Sequence, residues 1–182
     1  MQPTTLSKLR KTNLIDEIPV SHFDYPQAMT AGHRYNYLVA ERLRANGINC
    51  HVPDLVIAQN LTELRDMTLN EKDIVLEDIQ GNIEVKSMNR DFGSDPNTFL
   101  FRKVIVDTVS GFEQKLETPL AYVIVSQVTK EMFVVPVTTK WSWEVREAMD
   151  YDRGFIETFY FCERERCKPF NELVDYLKSL TS

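Results

Sequence analysis

Residues 73–86 carry acidic and basic side chains at a spacing that could support phosphodiester chemistry. They read Asp73-Ile-Val-Leu-Glu-Asp-Ile-Gln-Gly-Asn-Ile-Glu84-Val85-Lys86. Because side chains alternate along a strand, Glu84 and Lys86 point to the same face. If the two β-branched runs pair as a hairpin, Asp73 lies at the end of the neighbouring strand, close to both. Two carboxylates and a lysine held in this way could bind a divalent cation and position a water for attack on a phosphodiester.

The segments around this pattern predict a sheet with helices on its flanks. A helix is expected first, with Thr30 as its N-cap and Asn46-Gly47 as its stop signal. The strands are short β-branched or aromatic runs, and apolar residues at helical spacing indicate a second helix. In chain order, the predicted core elements are a helix over 31–45, strands over 48–52, 73–79 and 82–87, a helix over 99–116 and a strand over 121–128. This order describes an αβββαβ core of the α/β class.

Further elements are expected after this core. They are a strand over 132–137, a helix over 141–149, a strand over 155–162 and an amphipathic helix over 170–180. Residues 61–67 could add a short helix within a connection. We expect residues 1–30 to form an N-terminal arm and residues 31–182 to form one domain, with its core at about 31–137. The predicted fold is α/β, with a central mixed β-sheet flanked by helices and with C-terminal helical additions.

In these residues and elements the chain resembles the PD-(D/E)xK nuclease superfamily, whose members have the restriction-endonuclease-like fold. The resemblance covers roughly residues 31–128. It rests on Asp73, on the Glu84-x-Lys86 pattern and on the order of the surrounding helices and strands. The resemblance implies that Asp73 and Glu84 are the two acidic residues of the superfamily motif and that Lys86 is its lysine.

Two acidic residues leave alternatives open within this assignment. Glu41, on the first helix, matches the extra acidic residue that several branches of the superfamily place beside the metal. Its other interpretation is an exposed acid paired with a neighbouring arginine. No proline precedes Asp73, whereas a literal Pro-Asp pair ends at Asp54, so Asp54 competes for the role of the first acid. Asp73 is preferred because a strand follows it directly and a tight turn connects it to Glu84.

The resemblance implies catalysis that depends on Mg²⁺, with Mn²⁺ as a substitute. Asp73, Glu84 and the carbonyl of Val85 would be protein ligands, and Glu41 would ligate directly or through water. DNA phosphate and water would complete the coordination shell. Lys86 would orient the attacking water or stabilise the charge that develops on the phosphate.

The implied function is that of a metal-dependent deoxyribonuclease, preferably an endonuclease of the restriction type or a junction or repair resolvase. A homodimer is expected because two DNA strands require two active sites. Basic and polar side chains near the motif are candidate DNA contacts as a group: Arg34, Ser87, Arg90, Arg102 and Lys103. Two alternatives stay open, a catalytically silent binding or subunit module of the same fold and an unrelated α/β protein whose hairpin charges are structural.

The composition is that of an ordinary globular protein, with 43% hydrophobic and 26% charged residues. The apolar runs are too short to span a membrane and no nucleotide-binding fingerprint occurs, so we expect neither a membrane nor a nucleotide cofactor as partner. The net charge of −6 is unusual for a DNA-binding protein but permits a local basic surface. Three cysteines cannot all pair within one chain, which favours a reduced, cytoplasmic setting. The loose spacing of Cys50, His51, Cys162 and Cys167 disfavours zinc.

Overall fold

A computed structural model describes residues 25–56, 58–60, 62–63, 71–150 and 154–181. In chain order, the elements of these ranges are α1 (Tyr25–Ala45), β1 (Cys50–His51), β2 (Ile74–Leu76), β3 (Asn82–Met88), β4 (Lys103–Thr108), α2 (Val109–Glu113), β5 (Ala121–Ser126), β6 (Met132–Pro136), β7 (Glu144–Asp150), β8 (Phe155–Glu163), β9 (Lys168–Pro169) and α3 (Phe170–Ser179). Short 3₁₀ helices cover Pro96–Thr98, Val137–Ser142 and Arg164–Arg166. None of the helices in these ranges has the combination of length and apolar character that a membrane span requires.

Helix α1 ends where the sequence predicts but begins earlier. Because it starts at Tyr25, Thr30 lies inside the helix and is not its N-cap. At the other end, Gly47 has a φ of 83°, and the Ile48 N–H donates to the Leu43 carbonyl at 3.1 Å. This is the glycine-terminated helix end that Asn46-Gly47 indicates. Residues 1–24 of the predicted arm and most of the possible helix at 61–67 lie outside the described residues.

The larger sheet has six strands in the order β1-β2-β3-β5-β6-β9. The pairs β1–β2 and β2–β3 are antiparallel, β3–β5 is parallel, and β5–β6 and β6–β9 are antiparallel. The predicted α/β class with a mixed sheet is therefore confirmed. The predicted hairpins of β2 with β3 and of β5 with β6 are confirmed as well. At the first hairpin, Gly81 has a φ of 149° and leaves no room for a Cβ, which would lie 2.9 Å from side-chain carbons of Leu120.

A second sheet, in the order β4-β8-β7, replaces two of the predicted helices. The helix expected over 99–116 is wrong: strand β4 forms within this segment, and only Val109–Glu113 is α-helical. Val104 and Val106 are fully buried while Ile105 is 38% exposed, which is the period of a strand. The helix expected over 141–149 is also wrong, because most of that segment is β7. The C-terminal additions are therefore a β-hairpin followed by the confirmed helix α3.

Three layers position the motif residues. Helices α1 and α3 pack on one face of the larger sheet, through a core that includes Val39, Leu43, Ile83, Val123 and Leu177. The second sheet covers the other face, through a core that includes Val104, Tyr122, Ile124, Phe133 and Cys162. The two long helices therefore lie on one side of the larger sheet and do not flank it on both sides. Glu84 and Lys86 alternate with the residues that face the helices, so they point between the two sheets.

Gly111 is expected to be required for the turn that leads from β4 into α2. A Cβ at this position would lie 2.6 Å from the Thr108 Oγ1, the oxygen that caps α2 by accepting from the Gly111 N–H. We expect Gly111→Ala to lower the free energy of unfolding by about 1–3 kcal/mol, through lost capping and overpacking. The measurement is a urea titration.

Gly32 supplies the matched control. It lies within α1, and a Cβ there would have no atom within 4 Å. We expect Gly32→Ala to raise stability by about 0.5–1 kcal/mol, because alanine is the better helix former. Equal effects at both positions would contradict the proposed steric role of Gly111.

Candidate active site

Asp73 and Glu84 are brought together by the register of the β2–β3 hairpin. Ile74 pairs with Ile83, so the next residue outward on one strand, Asp73, lies opposite Glu84 on the other. The Asp73 Oδ2 accepts a hydrogen bond from the Val85 N–H at 2.7 Å. Its Oδ1 accepts from the Asn36 Nδ2 at 2.9 Å, which ties the carboxylate to helix α1. The first acid of the motif is thus held by both the neighbouring strand and the first helix.

Glu84 forms a buried ion pair with a lysine from the segment after α2. Its Oε1 lies 3.1 Å from the Lys115 Nζ, and the two side chains are 7% and 11% exposed. Removing one partner of such a pair leaves an uncompensated buried charge, which is costly. Lys115 is therefore an internal counter-ion of the second acid.

Lys86 is held by a carboxylate from the second sheet. Its Nζ lies 3.3 Å from the Asp107 Oδ1, while the Tyr122 hydroxyl donates to the Asp107 Oδ2 at 2.8 Å. The pairing of β4 with β8 shifts between Ile105 and Asp107, and a bulge of this kind re-aims side chains. Although burial alone would raise it, the charges of Lys86 and Lys115 hold the pKa of Asp107 below its usual range. Desolvation would lower the pKa of Lys86, but the acids around it, Asp107 first, raise it overall.

The acidic residues of the site carry more negative charge than their surroundings neutralise. Burial and the nearby Asp73 carboxylate raise the pKa of Glu84 to about 7. Burial raises the pKa of Asp73, and the charge of Glu71 adds to this, against the lowering by the Val85 N–H and Lys86. Desolvation and the charge of Glu84 likewise raise the pKa of Glu71. Raised carboxyl pKa values in a cleft are typical of functional sites.

A cavity of about 290 Å³ opens beside Asp73. Its lining includes His33 and Asn36 of α1, as well as Asp54, Glu71 and Asp73. Asp54, the alternative first acid, is exposed on this wall, whereas Asp73 makes the bonds to β3 and α1. The cavity gives a ligand access to the Asp73 end of the acidic pair.

Glu41 does not share the position of these acids. It is exposed on α1, and its carboxylate makes no hydrogen bond or ion pair to the part of the chain that the structure describes. The α1 residue that contacts Asp73 is Asn36, five residues earlier. Since five residues correspond to about 500° of helical rotation, Asn36 and Glu41 point in different directions.

Three of the predicted DNA contacts lie near the carboxyl end of β3. Ser87 accepts a hydrogen bond from the Gln127 Nε2 at 3.0 Å. Arg90 is exposed, with its guanidinium carbon 5.3 Å from the centre of the Phe101 ring. Arg34 is exposed on α1.

The other two predicted contacts are engaged in ion pairs of the second sheet. Lys103 pairs with Glu144 and, at 3.2 Å, with Glu163. Arg102 lies 3.7 Å from Glu163. Lys103 begins β4 and Asp107 lies four residues further on, so the two are about 13 Å apart along the strand.

Sequence reasoning missed Asn36, Asp107, Lys115 and Tyr122. Two of them interrupt an apolar pattern: Asp107 follows Val-Ile-Val in β4, and Tyr122 carries a hydroxyl within Ala-Tyr-Val-Ile-Val. A polar side chain in a buried strand requires a hydrogen-bond or charge partner. A polar residue within an apolar run is therefore the signal that could have indicated Asp107 and Tyr122. Lys115 and Asn36 have no comparable signal in the sequence.

Asp73 and Glu84 are the carboxylates that could supply oxygen ligands to a divalent cation. Asp73 is half-buried and Glu84 is buried, and Mg²⁺ is commonly bound by one or two carboxylates together with substrate phosphate and water. The described residues contain no group of three or more His, Cys, Asp or Glu side chains suited to hold a metal. The cysteines are free and buried, with Cys50 in the core beside the helices and Cys162 and Cys167 in the core between the sheets.

The chain matches no model of a known protein family, no curated protein and no solved structure. Function is therefore assigned from the geometry and the chemistry of the site.

Proposed function

We propose that this protein is a Mg²⁺-dependent deoxyribonuclease, preferably an endonuclease, that hydrolyses phosphodiester bonds of DNA. One observation carries the proposal. The hairpin register places Asp73 opposite Glu84, the Asp73 charge adds to burial in raising the pKa of Glu84, and Lys86 lies on the same face of β3 as Glu84. An acidic cluster whose carboxylates outnumber its two lysines, Lys86 and Lys115, is suited to a divalent cation with a bound phosphate.

The order and direction of the strands support the proposal. A helix, two antiparallel strand pairs and a parallel crossover to the next strand follow one another from α1 to β5. This order resembles the αβββαβ arrangement expected of the restriction-endonuclease-like fold. The crossover here contains β4 and the five-residue helix α2, where a longer helix was expected.

The motif residues would have different roles in the hydrolysis. Asp73, Glu84 and the Val85 carbonyl would hold the cation. When bound, Mg²⁺ acidifies a coordinated water and offsets negative charge on the phosphate. Lys86 stays protonated at neutral pH, because the surrounding acids raise its pKa, so it would donate hydrogen bonds to a phosphate oxygen or to the attacking water.

We assign Asp107 as the residue that positions Lys86, and we expect Asp107→Asn to lower kcat about tenfold to a hundredfold with little change in KM. Asparagine keeps the shape and the acceptor for the Tyr122 hydroxyl but removes the charge that lies 3.3 Å from the ammonium. Single-turnover cleavage measures the effect, and the ¹⁵N resonance of the Lys86 ammonium reports its environment independently of activity.

Asp175→Asn is the control for this substitution, because Asp175 is an exposed aspartate of α3. It should leave both readouts unchanged. An Asp107→Asn variant with wild-type kcat and an unaltered Lys86 resonance would show that the Lys86–Asp107 pair is only structural.

A second candidate function is a silent module of the same fold that binds DNA or a protein subunit. The contacts that favour it are the two lysine–carboxylate pairs, Lys115 with Glu84 and Lys86 with Asp107, which stabilise the site without a metal. This candidate predicts binding without cleavage.

The experiment that separates the two candidates is cleavage of supercoiled plasmid and of branched DNA in Mg²⁺, in Mn²⁺ and in EDTA. Metal-dependent nicks or linear product support the nuclease, and the pattern of products distinguishes the restriction and resolvase modes. DNA binding without product on any substrate supports the silent module. Gel filtration tests the homodimer that we propose for a double-strand cut, and cell fractionation tests the proposed cytoplasmic location.

A further inference from the structure

Two cations converge on one tyrosine beside the turn between β5 and β6 of the larger sheet. The Arg34 Nη2 donates to the Tyr35 hydroxyl at 2.9 Å, and the Lys130 Nζ donates to the same oxygen at 3.5 Å. Both charges also lie near the ring, with the guanidinium carbon 4.8 Å and the ammonium nitrogen 5.3 Å from its centroid. A single aromatic residue thus organises an arginine and a lysine from segments far apart in the chain.

No carboxylate neutralises these two charges within the described ranges. Neither Arg34 nor Lys130 forms an ion pair there, and Glu131, which follows Lys130 in the chain, pairs instead with Arg42 at 3.4 Å. Two like charges that share one acceptor repel each other, and an anion placed between them would relieve this repulsion. The arrangement is therefore suited to bind an anion.

The geometry of the cation pair is fixed by its surroundings. Tyr35 is 2% exposed and belongs to the core beneath α1. Lys130 has a φ of 63°, a conformation held by its N–H bond to the Ser126 carbonyl at 3.0 Å and by the Arg42 Nη2, which donates to the Lys130 carbonyl at 3.2 Å. Its ammonium also donates to the Gln127 carbonyl. A prepositioned pair loses little conformational entropy on binding a ligand.

The cation pair lies near the carboxyl end of β3, the strand that carries Glu84 of the acidic site. Met88 pairs with Ser126, so the turn that carries Lys130 adjoins the carboxyl end of β3. Arg34 precedes by two residues the Asn36 that contacts Asp73. Strand β2 pairs with β3 only at Asn82 and Ile83, and β3 advances roughly 10 Å from Glu84 to Ser87. A nucleic-acid strand at the acidic pair would therefore pass the cations within a few nucleotides.

We propose that Arg34, Lys130 and the Tyr35 hydroxyl form a binding site for a backbone phosphate of a nucleic-acid strand, separate from the acidic site. The identity of this ligand rests on the proposed nuclease function. Arginine and lysine are the usual phosphate ligands, and contacts of this kind hold the register of the strand without reading its sequence. The site gives an acidic protein a local positive surface for its substrate.

The test is binding of fluorescein-labelled single-stranded and duplex DNA by fluorescence anisotropy, with Ca²⁺ in place of Mg²⁺, over a series of salt concentrations. Arg34→Gln and Lys130→Asn remove one charge each, and asparagine tolerates the positive φ at position 130. Each variant is expected to lower the magnitude of the salt slope by about one, and affinity at 50 mM salt roughly tenfold, independently of DNA sequence. The double variant should lower the slope by about two.

Arg146→Gln is the matched control, because Arg146 is an exposed cation of β7 on the second sheet. It should bind DNA as the wild type does. Variants at Arg34 and Lys130 that match this control, or a wild-type protein that binds no DNA, would overturn the phosphate site. If the site-specific loss of binding occurs in a protein that cleaves no substrate, the phosphate site stands and the nuclease proposal fails. If cleavage is present and these variants change neither binding nor KM, the nuclease stands and this site fails.

Discussion

Glu84→Gln is expected to reduce metal-dependent DNA cleavage by at least about a hundredfold. Glutamine keeps the size of the side chain but removes the negative charge that would hold the cation beside Asp73. It also leaves the Lys115 ammonium without its partner at 3.1 Å, so the variant retains a positive charge where the wild type would bind Mg²⁺. The measurement is the rate of plasmid nicking in Mg²⁺, together with calorimetric titration of Mn²⁺.

Glu77→Gln is the control for this change, since Glu77 lies in the same hairpin and is exposed. Its pairing with His51 is at the surface and contributes little. We expect this variant to cut DNA and to bind Mn²⁺ like the wild type. Undiminished cleavage by Glu84→Gln would remove the basis of the proposed nuclease site.

The metal-free protein is expected to become less stable as the pH rises from about 4.5 to about 7. Burial and Asp73 raise the pKa of Glu84 from 4.5 to about 7 in the folded protein, so over this range the unfolded chain releases a proton that the folded protein keeps. The unfolded state binds fewer protons, and the free energy of unfolding therefore falls with increasing pH, by roughly 3 kcal/mol for this group. The raised pKa values of Asp73 and Glu71 act in the same direction.

Urea titrations in EDTA at pH 5, 6, 7 and 8 measure this loss. Asp107 has a lowered pKa, so its stabilising effect is lost only in stronger acid and does not oppose the trend. Mg²⁺ binds the ionised carboxylates and should restore stability at pH 8, where the repulsion is greatest. Glu84→Gln should flatten the pH dependence in EDTA and remove most of the response to Mg²⁺. Stability that increases from pH 5 to pH 8 in EDTA would contradict the charge balance described for the site.

Repulsion between the ionised carboxylates lowers the stability of the metal-free protein at pH 8. Replacing Glu84 by a neutral residue would relieve its repulsion with Asp73 at pH 8, but it would also leave the buried Lys115 ammonium without its counter-ion. We therefore expect the substitution to remove catalysis without a gain in stability at this pH. The two lysines, Lys115 and Lys86, limit the cost of the arrangement in the absence of a cation.

The motif hairpin was predictable from sequence because its geometry is local. Alternation along β3 puts Glu84 and Lys86 on one face, and the turn at Gly81 sets the register that brings Asp73 opposite Glu84. The β-branched runs and the amphipathic C-terminal helix likewise depend on neighbours in the chain. The α/β class follows from such patterns alone.

The partners of the motif residues depend on contacts between distant segments. Residues 99–116 have apolar side chains at helical spacing, yet β4 forms because its valines are buried against the larger sheet and its backbone pairs with β8, more than fifty residues later. Only this pairing, with its bulge, brings Asp107 to Lys86, and only the crossover that follows brings Lys115 to Glu84. Local periodicity carries no information about which distant strand will pair with β4. The charge partners of Glu84 and Lys86 were therefore decided by tertiary packing.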